Sequence, residues 1–152
     1  MEARRQLGQA AARVGGGVGI PPLVYWCREH GINHNGEVAF FMGGRTAGDL
    51  FYEDALSQAG ARVSFATNNG ERGHHGLVTE PFQQSLETTQ GTTTVLTCGP
   101  MPMMQAVARI CATHQVRCLA SLEAYMACGY GVCLGCVVPD KDGNFIRVCM
   151  EG

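Results

Sequence analysis

Cys128, Cys133, Cys136 and Cys149 stand at C-x4-C-x2-C-x12-C in the stretch CGYGVCLGCVVPDKDGNFIRVC. Thiolates are soft donors, and this is the spacing at which four of them hold the two irons of a [2Fe-2S] cluster. Gly129, Gly131 and Gly135 lie between the first three thiols. Glycines there let the backbone wind closely round an inorganic core and aim its N–H groups at sulfur. Val132 and Leu134 are then expected to shield that core from water. Structural zinc is the rival reading, but such sites favour two C-x2-C knuckles and this stretch has a single one. A disulfide framework fits less well, because nothing marks the chain as secreted.

A second chemistry is suggested by Gly15-Gly16-Gly17-Val18-Gly19-Ile20-Pro21-Pro22, after which Ile20, Leu23, Val24 and Cys27 recur at helical spacing. Free N–H groups and the macrodipole at a helix start behind a glycine turn make an anion site suited to a dinucleotide. Gly17 and Gly19 match G-x-G-x-x-G, but Pro22 occupies its third glycine position, so an ordinary tight turn is an equal reading. Arg45, after Gly43 and Gly44, suits a phosphate or ribose contact and equally a solvated turn. His74 and His75 have no spaced ligand partner and are expected to face solvent. Met101, Met103 and Met104 read as core filler. Glu123 would either fix the cysteine loop through backbone N–H groups or cap it.

These residues need a scaffold, and the chain supplies alternating elements. Strands are expected at residues 10–14, Glu37–Met42, Arg62–Thr67, Thr93–Cys98 and Val116–Leu122, with NNGERGHHG as a polar loop. Helices are expected from Ile20 to a stop at Gly31, over Asp49–Ala59, near Pro81–Glu87, and from Met103 to His114. Alternation of this kind predicts an α/β fold, a doubly wound parallel sheet whose ligands bind outside the carboxyl ends of the strands. The glycine turns fall on that edge. Asp140 to Asn144 predicts a hairpin that returns Cys149 to the loop, with no terminal helix or strand after it. The expected division is a nucleotide-binding domain over 1–120 and a cysteine-loop domain over 121–152.

The 152 residues are 45% hydrophobic, enough for a real core, and carry 11 basic and 13 acidic side chains for a net charge of −2. No basic run favours nucleic acid or an anionic membrane, and no apolar stretch approaches the length of a bilayer span. The N-terminal MEARRQLGQAAARVGGG is charged but lacks the apolar segment of a signal peptide, so a cytoplasmic location is expected. Cys27, Cys98, Cys111 and Cys118 then read as reduced thiols, mostly small core residues. Paired carboxylates, a nucleophile with its base, and a phosphate-binding Walker loop are all lacking. Electron transfer needs none of them, because the cofactors carry the chemistry.

The segments VGGGVGIPPL, GGRTAGDLF, TNNGERGHHG and TCGPMPMMQAV, followed at Ser121 by SLEAYMACGYGVCLGCVV, together resemble the electron-transfer subunit of NAD-dependent dihydroorotate dehydrogenase, within the ferredoxin reductase superfamily. The resemblance covers nearly the whole chain. It implies a [2Fe-2S] cluster on Cys128, Cys133, Cys136 and Cys149, an NAD(H) site involving Gly16, Gly17, Gly19, Pro22, Arg45, Cys98, Gly99 and Pro100, and, in the full-length protein, an FAD that takes electrons from the cluster and passes a hydride to NAD+. It also implies an FMN-containing catalytic subunit as partner and a role in pyrimidine biosynthesis. The resemblance sets Cys98 near the nicotinamide, while its residue type fits a buried thiol. In that family a flavin-binding barrel precedes the nucleotide domain, so the chain reads as a fragment holding the NAD and cluster domains. Related small subunits that reduce NADP or act on sulfide have aspartate at the first cluster ligand, where this chain has Cys128. Asn68 and Asn69 stand where the family carries acidic residues, which bears on the choice between NAD and NADP.

Overall fold

The computed structural model describes residues 12–30, 38–88, 94–140 and 142–151. They form two compact units, one reaching Ala120 and the other starting at Ser121. The first unit contains β1 (Ala12–Gly16), α1 (Ile20–His30), β2 (Ala39–Gly44), α2 (Glu53–Gln58), β3 (Arg62–Thr67), β4 (His74–His75), α3 (Thr79–Thr88), β5 (Thr94–Cys98), α4 (Met101–Thr113) and β6 (Arg117–Ser121). Its strands make a six-stranded sheet in the order β4-β3-β2-β1-β5-β6. Every pairing from β4 through to β5 is parallel, with Val14 opposite Phe41 on one side and Thr97 on the other.

The sheet is buried on both faces, which explains the apolar runs in β2 and β5. Phe40 and Met42 point to a cluster with Ile20, Leu23, Val24 and Cys27 of α1 and Leu56 of α2. Phe41 points the other way, to Val78, Phe82 of α3 and Val107 of α4. There Phe41 meets Phe82 edge to face, with ring centroids 5.6 Å apart. Among the described residues, no helix is long and apolar enough to cross a membrane.

Several elements differ from expectation. The strand expected over residues 10–14 runs on to Gly16, and residues 10 and 11 lie outside the described residues, as do Glu37, Thr93 and the Gly31 stop. The helix expected from Asp49 begins only at Glu53, because the Asp49 carboxylate accepts the N–H groups of Arg45 and Thr46 and closes a 3-10 turn over Ala47–Asp49. Tyr52, at φ +66°, then separates that turn from α2. The polar loop after β3 contains the short edge strand β4, in which His74 is half-buried rather than solvated. Met104 is buried as expected, but Met101 is 44% exposed.

The second unit holds β7 (Val137–Pro139), β8 (Phe145–Arg147) and a terminal turn, α5 (Val148–Glu151). β7 and β8 form the expected antiparallel hairpin, and Asp140 closes it by accepting N–H bonds from Asp142 at 2.9 Å and Asn144 at 2.8 Å. The second hairpin strand, expected over FIRVC, stops at Arg147, and Cys149 lies inside α5, where no terminal helix is expected. Glu151 makes that turn possible, since its carboxylate takes both the N–H and the guanidinium of Arg147.

Candidate cofactor sites

A cavity of about 440 Å³ opens at the carboxyl edge of the first unit's sheet, a volume typical of cofactor clefts. Gly16, Gly17, Gly43, Gly44 and Arg45 line it from the ends of β1 and β2, and Ala66 and Asn68 from the end of β3. Gly76 to Thr79 and then Pro100, Pro102, Met103 and Ala106 complete the wall. β1 lies between β2 and β5, so the strand order reverses there, and a parallel sheet leaves its crevice at such a switch point.

The crevice depends on backbone approaching backbone. A Cβ on Gly19 would stand 2.2 Å from the carbonyl carbon and oxygen of Cys98 and 2.4 Å from the nitrogen of Gly99. Gly19 therefore braces the cavity from behind without lining it. Gly99, at φ +146°, packs in turn against the backbone of Gly16. Cys98 is 8% exposed and belongs to the core cluster with Ile20 and Leu96, while Pro22 is exposed in the first turn of α1; neither lines the cavity.

Arg45 and Asp49 are the charged residues in the wall. The Arg45 side chain is 86% exposed, with Nε 3.8 Å from Asp49 Oδ2. The N–H groups of Thr46 and Arg45 hold the Asp49 carboxyl below its usual range. Glu71 is held low in the same way, its Oε2 accepting the Ala47 N–H at 3.0 Å. The loop after β3 is fastened by Thr67, whose Oγ1 accepts the Arg72 N–H at 3.0 Å, and by the Arg72 guanidinium, which lies 4.1 Å from the centre of the Phe65 ring and pairs with Glu53. Nearby, His74 Nε2 lies 2.6 Å from Glu80 Oε2 and draws the Glu80 carboxyl downward. Asp49, Asn68, Gly76 to Thr79, Pro102, Met103 and Ala106 were not singled out as site residues from the sequence. The position of NNGERGHHG at the strand-end edge was the available signal for Asn68 and Gly76, and α4 starting beside Pro100 was the signal for Met103.

In the second unit Cys136 is buried, Cys128 and Cys149 are half-buried and Cys133 is exposed. The Cys133 N–H points at Cys128 Sγ, 3.5 Å away, and the Gly135 N–H at Cys133 Sγ, 3.4 Å away. The N–H groups of Cys133 and Tyr130 are the leading causes that bring the Cys128 thiol down to about 6. The Cys149 N–H lowers Cys136, and the side-chain bond with Cys136 raises Cys149. Gly129 and Gly131 take positive φ, at +74° and +80°, but the third such turn is made by Leu134 at +57° instead of Gly135. Val132 and Leu134 are 73% and 62% exposed rather than folded over the sulfurs. A loop that directs its N–H groups inward turns its side chains out.

The thiols of Cys128 and Cys133 perturb one another, as do those of Cys136 and Cys149. Among the described residues no three of His, Cys, Asp or Glu gather round a single metal position. The C-x4-C-x2-C spacing, with a single C-x2-C knuckle, suits a binuclear cluster better than a mononuclear tetrahedral site. The second pair is made by the hairpin: Val148 donates to the Cys136 carbonyl at 3.2 Å, and Arg147 Nη1 donates to the Gly131 carbonyl at 3.4 Å.

A doubly wound parallel sheet with a cofactor-sized cavity at its switch point, in a chain that also carries a loop of four thiols, defines an α/β nucleotide-binding class of protein with a cysteine loop. Residues 14–109 match the oxidoreductase NAD-binding domain, and the chain belongs to that family. Residues 123–152 match the iron–sulfur cluster binding domain of dihydroorotate dehydrogenase B. The chain is 36% identical over 143 residues to the dihydroorotate dehydrogenase B (NAD(+)) electron transfer subunit of Clostridium perfringens, covering 93% of this chain and 54% of that one. It is 38% identical over 140 residues to the homologue of that subunit from Aquifex aeolicus, covering 91% and 53%. The chain thus spans about half the length of the curated relatives it matches. In fold it is similar to a structure described for NADH-dependent reduced ferredoxin-NADP oxidoreductase, with a TM-score of 0.75 at 23% identity over 92% of this chain and 49% of the other.

Proposed function

We propose that the chain is the nucleotide- and cluster-bearing part of an electron-transfer subunit of the NAD-dependent dihydroorotate dehydrogenase type. Residues 1–120 form its NAD(H)-binding domain and 121–152 its [2Fe-2S] domain. The observation that carries this reading is the four-cysteine loop whose Cys133 and Gly135 N–H groups are aimed at the sulfurs of Cys128 and Cys133. Cys128 and Cys133 would hold one iron, and Cys136 and Cys149 the other. Gly16, Gly17, Gly19, Pro22, Arg45, Cys98, Gly99 and Pro100 would form or support the nucleotide site, with Arg45 facing ligand phosphate. When bound, the cluster would supply one-electron steps and the nicotinamide a hydride step. The chain itself would hold both groups, with Gly19 packed on the Cys98 backbone behind the cavity and N–H dipoles directed at sulfur. FAD and an FMN-containing catalytic subunit acting on dihydroorotate would complete the assembly. A cytoplasmic setting suits the eight unbridged cysteines.

Anaerobic purification followed by metal and labile-sulfide analysis tests the cluster. The expected result is visible absorbance with two irons and two sulfides per chain; a colourless protein with one tightly held zinc refutes it. Titration of NADH fluorescence tests the cavity separately, and Arg45→Ala is expected to weaken binding about tenfold, the loss of one charge-assisted contact of about 1.5 kcal/mol.

A further inference from the structure

Two thiols outside both cofactor sites are brought together by a chain reversal. Cys111 is on the inner face of α4, fully buried in the cluster that contains Ala12, Val95 and Val107. Cys118 is half-buried on β6 and packs against the same cluster. Between them Gln115 adopts φ +56°, and the Val116 N–H donates to the Cys111 carbonyl at 2.9 Å. Val116 and Cys118, two residues apart, share a face of the returning chain, and both pack against the cluster that holds Cys111. The two thiols are close enough to perturb each other. Their interaction raises Cys111 and lowers Cys118, and burial raises both. Cys118, the more accessible partner, is therefore the one that ionises first, with Cys111 beside it as a protonated donor.

We propose that Cys111 and Cys118 form a redox-active dithiol that hydroperoxides oxidise to an intramolecular disulfide, joining α4 to β6. The Cys118 thiolate attacks one oxygen of hydrogen peroxide; an S–O bond forms, the O–O bond breaks, and the departing hydroxide takes up the proton released by Cys118 as water. The Cys111 sulfur then attacks the Cys118 sulfenic sulfur; an S–S bond forms, the S–O bond breaks, and the leaving hydroxide carries off the Cys111 proton as a second water. Two thiols thereby lose two electrons and two protons, and one peroxide becomes two waters. The geometry favours this outcome over further oxidation, because the resolving thiol lies in the cluster against which Cys118 packs. α4 also lines the nucleotide cavity through Pro102, Met103 and Ala106, so the bridge would fasten an element of that site. The proposal does not depend on the identity of the electron donor or acceptor.

The test is peptide mapping of the cluster-loaded protein after one equivalent of hydrogen peroxide under anaerobic conditions, with visible absorbance confirming that the cluster persists. Free thiols are blocked by N-ethylmaleimide before tryptic digestion, which cuts after Arg109 and Arg117 and so separates the two cysteines. The expected product is the peptide 110–117 linked to the peptide 118–141, with fragmentation placing the bridge on Cys118, lost again after dithiothreitol, with two fewer alkylated thiols per chain; a bridge to Cys128, Cys133 or Cys136 overturns the proposal. Full alkylation of both cysteines, or Cys118 recovered as sulfenic or sulfinic acid beside a free Cys111, overturns the proposal. In Cys111→Ser, Cys118 is expected to stop at a dimedone-reactive sulfenic acid, and disulfide formation at the wild-type rate there would equally overturn it. Should that variant fold poorly, the wild-type map alone decides.

Discussion

Gly19→Ala tests whether the cavity floor rests on direct backbone contact between the turns after β1 and β5. The added Cβ would lie 2.2 Å from the carbonyl carbon and oxygen of Cys98 and 2.4 Å from Gly99 N. Carbon atoms are comfortable at about 3.5–4.0 Å, so the turns would have to part by more than about 1 Å. All three crowded atoms are backbone, and no rotamer change relieves them. Gly19 is not among the glycines at positive φ, so the cost is one of packing and not of dihedral strain. Overpacking typically costs about 1–3 kcal/mol, and a clash with two rigid peptide groups belongs at the upper end. At about 3 °C per kcal/mol for a chain of this size, the melting temperature is expected to fall by about 9 °C. NADH binding should weaken with it, because Gly16 and Pro100 would move apart across the crevice. Differential scanning calorimetry and a fluorescence titration measure the two effects. Melting within about 2 °C of the wild type with unchanged NADH affinity would refute the reasoning.

Arg13→Leu should stabilise the protein by about 1–3 kcal/mol, because Arg13 is 1% exposed and its Nε and Nη1 have no hydrogen-bond partner among the described residues; a fall in melting temperature would show that the guanidinium is paired. Burial already pushes the Arg13 guanidinium below its ordinary value, the sign expected of an uncompensated charge. Asp49 has its folded pKa below the ordinary value of 3.8, so its stabilisation is complete above that pH and disappears as pH falls through the folded value. Asp49→Asn should therefore lose less stability than the wild type between pH 6 and pH 3, as read by thermal melts; an unchanged difference would mean that the N–H bonds of Arg45 and Thr46 carry no stability. Cys136→Ser and Cys149→Ser should each lower iron from two to below about one half per chain, whereas Cys111→Ser should retain it; retention of full iron in either ligand variant would overturn the four-thiol assignment.

The features visible in the sequence are those whose cause is local. β2 and β5 could be read because residues such as Phe40, Phe41 and Met42 supply both faces of the sheet without a polar gap. The cysteine spacing was likewise a local signal. The late start of α2 was not, since it is set by Asp49 binding the backbone behind it and by Glu71, far along the chain, taking the Ala47 N–H. β4 was invisible for a related reason. Two residues have no periodicity of their own, and His74 and His75 become a strand because Ala66 and Thr67 offer them an edge. The pairing of Cys136 with Cys149 needed the hairpin register and the terminal turn together. Arg13 misleads in the opposite direction, since its residue type gives no hint of a central buried strand.

Both candidate sites draw little on side-chain acids and bases. Five of the residues lining the cavity are glycines, which bring ligand close to peptide N–H groups and provide nothing that titrates. The two charged residues in the wall are coupled, since the Asp49 carboxylate is held by the N–H groups that precede and follow the Arg45 carbonyl. In the cysteine loop the sulfurs likewise meet backbone donors, at Cys133 and Gly135, and the side chains of Val132 and Leu134 turn away. Oriented peptide dipoles stabilise negative charge without a proton to lose, whether it resides on phosphate or on thiolate. A protein of the proposed kind would benefit from that arrangement, because peptide dipoles, unlike side-chain acids, do not change with pH while the bound groups change oxidation state. The cost is that function depends on backbone geometry, so a single added methyl at Gly19 is a more severe test of this chain than the removal of any one charge at the cavity rim.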